Sequence, residues 1–133
     1  MRSLKWMFLG LAAGLFMAPG VRAEEGRGHS HGTKSESGIQ SVQGEVLDMV
    51  CFMTHNGMGP KHQKCALTCL KDGAPMGLLS KDGSVYLLIE DHDAKQPYLD
   101  LKALAGEQVK VKGKVFLKGG VQAIQVLSSQ KAG

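Results

Sequence analysis

The sequence predicts a mainly β domain, a small five-stranded barrel that carries one inserted helix and a second short helix. Two observations predict it. Four segments are rich in β-branched or aliphatic residues, and glycine-containing turn dipeptides lie beside them. The expected order along the chain is a strand, an insertion, one or two strands, a short helix and a hairpin. That order is typical of a barrel of the OB type, with a simple antiparallel sandwich as the alternative.

The first 23 residues are expected to be a secretory signal peptide. Arg2 and Lys5 precede an apolar run over residues 6–18, and residues 21–23 (VRA) form a small-x-small cleavage site. The apolar run is too short for a membrane anchor. We predict cleavage after Ala23 and a periplasmic or secreted protein that is not inserted in the membrane after cleavage.

Cleavage leaves 110 residues, enough for one domain. Residues 24–41 are polar and glycine-rich and are expected to be a flexible leader, whose His29 and His31 either bind a metal loosely or are incidental. The domain is expected at 42–128 and a tail at 129–133. Thirteen basic and twelve acidic side chains remain after cleavage, a balance that gives no reason to expect nucleic acid or an anionic membrane as partner.

The predicted strands cover residues 42–50, 85–89, 108–117 and 121–127. In the third strand, alternate positions hold the apolar residues Val109, Val111, Val115 and Leu117. The positions between them hold Lys110, Lys112, Lys114 and Phe116. One face of this strand is therefore expected to be buried and the other wet. The lysine row lacks the aromatic residues that stack on bases, which argues against nucleic-acid binding.

Turns and a short helix connect these strands. The dipeptides Asp82-Gly83 and Gly119-Gly120 are typical of tight turns between strands. A helix is expected over residues 97–104, because Pro97 suits a first helical position and Gly106 suits the position just past a helix end.

The insertion, predicted at residues 51–75, contains the pattern Cys51-x3-His55-x6-His62-x2-Cys65-x3-Cys69. Gly59-Pro60 can start a helix that stops at residues 72–75, which gives roughly three turns. The expected inward stripe of that helix holds His62, Cys65, Ala66, Cys69 and Leu70. All of its cysteines and histidines would then point at the barrel.

Cys51 is expected to close the first strand and so to approach the same helix face. Three sulfurs and one imidazole complete a closed tetrahedral site of the zinc type. We predict Cys51, Cys65, Cys69 and one histidine as the metal ligands, with His62 preferred because the stripe fixes its position. His55 would be a spare ligand or a group that supports the ligands.

Copper is the alternative to zinc. The methionines in or beside the insertion are Met49, Met53, Met58 and Met76. Thioether, thiolate and imidazole together suit Cu(I), although methionine also fills irregular cores. Haem held by a histidine or a methionine is a further candidate, and the missing C-x-x-C-H motif argues against its covalent attachment.

Other interpretations of the cysteines stay open. In an oxidising compartment, Cys51 could form a disulfide with Cys65 or Cys69 and leave one free thiol. The cysteines could also be small apolar core residues. A further cluster at residues 90–93 (EDHD) could add metal ligands or form a solvated loop that ends a strand.

A resemblance adds to this interpretation. The segments VQGEVLDMVC, CALTCLKDGAPMGLL, VYLLIEDHD and LKALAGEQVKVKGKV, with VQAIQV after them, cover most of residues 42–127. They resemble small exported bacterial OB-fold-like proteins, mostly of unassigned role, that carry a Cys/His insertion after the first strand. The resemblance implies the fold and a site in the insertion, and it supplies no reaction.

The motifs of hydrolytic and nucleotide sites are missing from the chain. Redox cysteine pairs prefer C-x-x-C at a helix start, whereas Cys65 is expected more than one turn inside its helix. We therefore expect a non-catalytic module that binds a transition metal ion and has a periplasmic protein as a further partner. A thiol/disulfide redox protein is the second interpretation and a disulfide-stapled interaction domain the third.

Overall fold

A computed structural model describes residues 35–133 of this protein as a closed five-stranded barrel with three helices. The strands are β1 (Ser35–Asp48), β2 (Met76–Ser80), β3 (Val85–Ile89), β4 (Gln108–Lys118) and β5 (Val121–Lys131). The helices are α1 (Met49–His55), α2 (Gln63–Lys71) and α3 (Gln96–Lys102). The predicted fold class is confirmed.

The strands close in the order β1-β2-β3-β5-β4, which is the order of an OB barrel. All neighbours are antiparallel except β3 and β5, which run parallel and complete the barrel. The long β1 pairs with both β4 and β2, and Gly44 belongs to both pairings. A side chain at Gly44 would overlap the backbone carbonyl of Leu79, so glycine allows the strands to approach there.

The core fills the barrel and is covered by two of the helices. On β4, Val109 and Val111 are fully buried while the lysines between them are exposed, as the alternation predicts. Leu117 departs from that pattern and is 49% exposed near the β4–β5 turn. Ala66 and Leu70 of α2 join the same core, and burying a leucine of this kind contributes about 1.5–3 kcal/mol.

The insertion between β1 and β2 differs from the prediction in two ways. It contains two helices, because the chain leaves β1 at Asp48 and enters α1 directly. Cys51 therefore lies inside a helix and does not close the first strand. The second helix begins at Gln63, later than expected, so Cys65 is the third residue of α2 and lies in its first turn.

Three smaller differences concern the strands and α3. β2 has no counterpart among the four predicted strands, and β1 starts at Ser35, within the segment expected to be a leader. The helix α3 contains Pro97 in its first turn, as expected, and ends two residues before the predicted position.

The predicted signal peptide, its cleavage site, His29 and His31 lie outside the described residues. Between residues 35 and 133, no helix is long and apolar enough to cross a membrane.

Candidate metal centre

The helix α1 presents Cys51 and His55 on one face. Asp48 begins the helix as its N-cap, with its Oδ1 accepting hydrogen bonds from the backbone N–H groups of Val50 at 2.9 Å and Cys51 at 3.5 Å. Residues four apart in a helix are neighbours on its surface, so the thiol of Cys51 and the imidazole of His55 point to the same side. Cys51 is buried and His55 is exposed.

The helix α2 supplies the other three side chains. His62 is its N-cap residue, and Cys65 and Cys69 follow at spacings of three and four. Ala66 and Leu70 face the barrel and are buried there. The cysteines occupy the neighbouring flank that faces α1.

This placement corrects the expected inward stripe. Only the Ala66 and Leu70 side of the stripe is buried, while Cys65 is exposed and His62 and Cys69 are partly buried. The reason is that only the narrow part of the stripe around Ala66 and Leu70 packs against the barrel, so the side chains on either side of it keep contact with solvent.

The five side chains form two overlapping triads. One consists of Cys51, Cys65 and Cys69, and the other of Cys51, His55 and His62. Within each triad, every pair of ligand atoms lies within 4.8 Å, and the two triads do not merge into one larger group at that distance. All three cysteines are free thiols. The shared Cys51 stands between a histidine pair and a cysteine pair. We call these five residues the Cys/His cluster.

His62 lies tightly against Cys51. Its Nε2 atom is buried and has no hydrogen-bond partner. A Cβ atom added at Gly57 would lie 2.7 Å from that Nε2 and 3.0 Å from the Cβ of Cys51, so glycine is needed there to leave room for the imidazole. A buried imidazole nitrogen without a hydrogen-bond partner needs an explanation, and a bound ion is one that the neighbouring cysteine favours. The His55 ring packs edge-on against it, with centroids 5.6 Å apart.

Asp48 is a member of the site that the sequence analysis missed. Its side chain is fully buried, and its Oδ2 lacks a hydrogen-bond partner of ordinary geometry. Burial works to raise the pKa of this carboxyl group. The facing thiols of Cys51 and Cys69 and the backbone amides of the α1 cap outweigh that effect and lower the pKa. The sequence signal was available, because aspartate is a preferred N-cap residue.

The contact with Asp48 also controls the protonation of the Cys51 and Cys69 thiols. Hydrogen bonding to Asp48 and burial raise the pKa of Cys51 to about 12, and the same two causes raise the pKa of Cys69. Both groups are therefore neutral thiols near pH 7 when no cation is bound. A metal ion that binds them has to displace their protons.

The other predicted candidates lie apart from the Cys/His cluster. In the EDHD segment, Glu90 pairs with Lys95 at 3.3 Å, and the Asp91 side chain accepts a hydrogen bond from the backbone of Asp93. His92 is exposed. These contacts are typical of a solvated turn, and no residue of the segment belongs to either triad.

The methionines divide into core and surface residues. Met76 is fully buried in the barrel core, and Met49 packs against Gly77. Met53 and Met58 are 72% and 42% exposed in the insertion.

Comparison with protein-family models, with curated proteins and with solved structures finds no match to this chain.

Proposed function

We propose that this protein is an exported, non-catalytic module that binds a transition metal ion, Zn²⁺ or copper, through the Cys/His cluster. The observation that carries the proposal is the convergence of three free thiols and two imidazoles between α1 and α2. The buried and unpaired Nε2 of His62 supports it, because such an atom costs free energy unless a partner binds it.

The spacing of the ligand atoms fits metal ligation with small adjustments. A Zn–S distance of about 2.3 Å places tetrahedral sulfurs about 3.8 Å apart. The sulfurs of Cys51, Cys65 and Cys69 all lie within 4.8 Å of one another, so contraction by about 1 Å or less brings them to that distance. Cys65 is exposed, so its side chain can rotate toward the other two sulfurs. His62 would be the fourth ligand of a closed zinc site only after a larger movement, because its ring nitrogens do not lie within 4.8 Å of all three sulfurs.

Export would explain why a ligand is needed. In an oxidising compartment, an odd number of cysteines leaves at least one thiol without a partner for a disulfide. A bound metal ion would hold all three as thiolates and protect them. Export and the relation to small OB-fold-like proteins with a Cys/His insertion are part of this proposal and rest on the sequence.

Elemental analysis of the purified protein tests the proposal. We expect at least one equivalent of zinc or copper for each chain and its loss in Cys51→Ser, which removes the residue common to both triads. His92→Ala is the matched control, since His92 is exposed and outside the Cys/His cluster. A metal-free, stably folded protein that contains a quantitative disulfide would refute metal binding.

A thiol/disulfide redox protein is the second candidate, favoured by the position of Cys65. This exposed residue lies in the first turn of α2, where redox-active cysteines are commonly found. Its sulfur lies within 4.8 Å of those of Cys51 and Cys69. A redox function predicts reversible formation of one disulfide in metal-free protein, measured by thiol trapping in buffers of graded thiol/disulfide ratio. Metal binding predicts that a bound ion blocks this reaction.

A further inference from the structure

The Cys/His cluster has a middle and two ends. Cys51 belongs to both triads, the pair Cys65 and Cys69 completes one triad, and the pair His55 and His62 completes the other. Each triad also has one exposed member, Cys65 at one end and His55 at the other. Each end therefore has one side chain that is open to solvent.

We propose that the Cys/His cluster holds two soft monovalent metal ions of the Cu(I) class, bridged by the thiolate of Cys51. One ion binds Cys51, Cys65 and Cys69, and the other binds Cys51, His55 and His62. This inference rests on the proposed metal-binding function and specifies its ion and its stoichiometry.

The distances favour two ions over one. Three ligand atoms within 4.8 Å of one another already surround the position of an ion at each end. A single ion bound by Cys65, Cys69 and an imidazole would require ligand atoms that do not all lie within 4.8 Å of one another. A thiolate sulfur has enough lone pairs to bind two metals, and Cys51 is the one residue whose sulfur reaches both pairs.

The donor types favour Cu(I). Thiolate sulfur is the ligand that soft Cu(I) prefers, imidazole suits copper as well, and three donors leave Zn²⁺ short of its usual four. Asp48 adds a buried negative charge beside Cys51 and Cys69, whose thiols face its carboxylate. That charge stabilises cations bound at the cysteine end.

Native mass spectrometry of the reduced full chain, titrated with Cu(I) without oxygen, tests the inference. We expect two ions on the wild-type chain, one on His55→Ala/His62→Ala and one on Cys65→Ser/Cys69→Ser. Two control variants should retain two ions: His92→Ala, which lies away from the Cys/His cluster, and His29→Ala/His31→Ala, which removes the histidines near the N-terminus. Loss of an ion from either control would place the second ion elsewhere and overturn the proposal.

Copper X-ray absorption on the fully loaded wild-type protein provides a test that does not depend on folding of a variant. Two ions that share the sulfur of Cys51 give a copper–copper scattering contribution, and its absence at full loading overturns the bridged arrangement. Saturation with one ion overturns this inference and leaves the proposed metal-binding function standing. Failure to bind any Cu(I) or Zn²⁺ refutes both.

Discussion

Gly57→Ala separates the packing role of this glycine from the metal-binding role of the imidazole it contacts. The new Cβ would lie 2.7 Å from Nε2 of His62 and 2.9 Å from its Cε1. Ordinary contact begins at 3.4 Å, so the ring has to retreat by about 0.7 Å. The φ of Gly57 lies outside the left-handed region, and the backbone itself accepts alanine.

The size of this displacement decides the expected result. Metal–ligand distances are held to within about 0.2 Å, so a ring displaced by about 0.7 Å no longer ligates the ion as before. We expect metal affinity to fall at least about 10-fold, which is the lower limit seen when a ligand loses its support. Overpacking should also lower the free energy of unfolding of metal-free protein by about 1–3 kcal/mol.

Competition with a coloured chelator measures the affinity, and urea denaturation of metal-free protein measures the stability. Gly38→Ala is the matched control, because its Cβ meets nothing within 4 Å and its φ is also outside the left-handed region. Unchanged affinity in Gly57→Ala, together with the expected loss of stability, would show that His62 is not a ligand. If both quantities are unchanged, the packing argument itself is wrong.

Three further predictions concern the surroundings of the site. Leu70→Ala should lower the free energy of unfolding by about 2–5 kcal/mol in urea, because this fully buried side chain anchors α2, whereas exposed Leu117→Ala should change it by less than about 0.5 kcal/mol. Asp48→Asn replaces the carboxylate whose hydrogen bond with the Cys51 thiol is the main cause, followed by burial, that raises the pKa of this thiol to about 12. Ultraviolet titration of metal-free protein should therefore show thiolate forming at lower pH, and an unchanged titration would contradict this cause. Hydrogen bonding to Lys131 on β5 lowers the pKa of the Glu107 carboxyl group, so the folded state binds a proton at this group less readily than the unfolded state. The stabilisation from the pair is therefore present above the ordinary pKa of glutamate and is lost as the pH falls through the lowered pKa of Glu107. Since the pair is partly exposed, Glu107→Gln should reduce stability at pH 7 by about 0–1 kcal/mol and flatten the acid dependence; an unaltered acid dependence would assign it to other groups.

The barrel was predictable where one face of a strand is buried. On β4, the alternation of Val109 and Val111 with lysines fixed both the strand and its inward face. β2 was missed because its sequence, MGLLS, is short and has no β-branched residue. The end of β1 was misjudged because the apolar residues up to Val50 are compatible with a strand, while the buried cap of Asp48 ends it earlier.

The site was predictable in composition and less so in arrangement. The spacing of cysteine and histidine in the insertion identified the residues that converge. Their division into two triads depends on how α1 packs beside α2, and α1 itself was not predicted. Periodicity also overestimated burial, because a five-residue stripe on α2 is wider than the part of it that Ala66 and Leu70 bury.

The connection of the insertion to the barrel has an evolutionary consequence. Asp48 and Met76 are cross-strand partners, and the amide of Met49 donates to the carbonyl of Pro75 at 3.0 Å, so the intervening chain leaves and re-enters the sheet at one point. The hairpin of β1 and β2 could therefore acquire, exchange or lose the intervening segment without a change in the register of the two strands. Ala66 and Leu70 limit such replacement because their side chains fill one part of the barrel core. Any replacement segment would have to supply apolar residues for the same position.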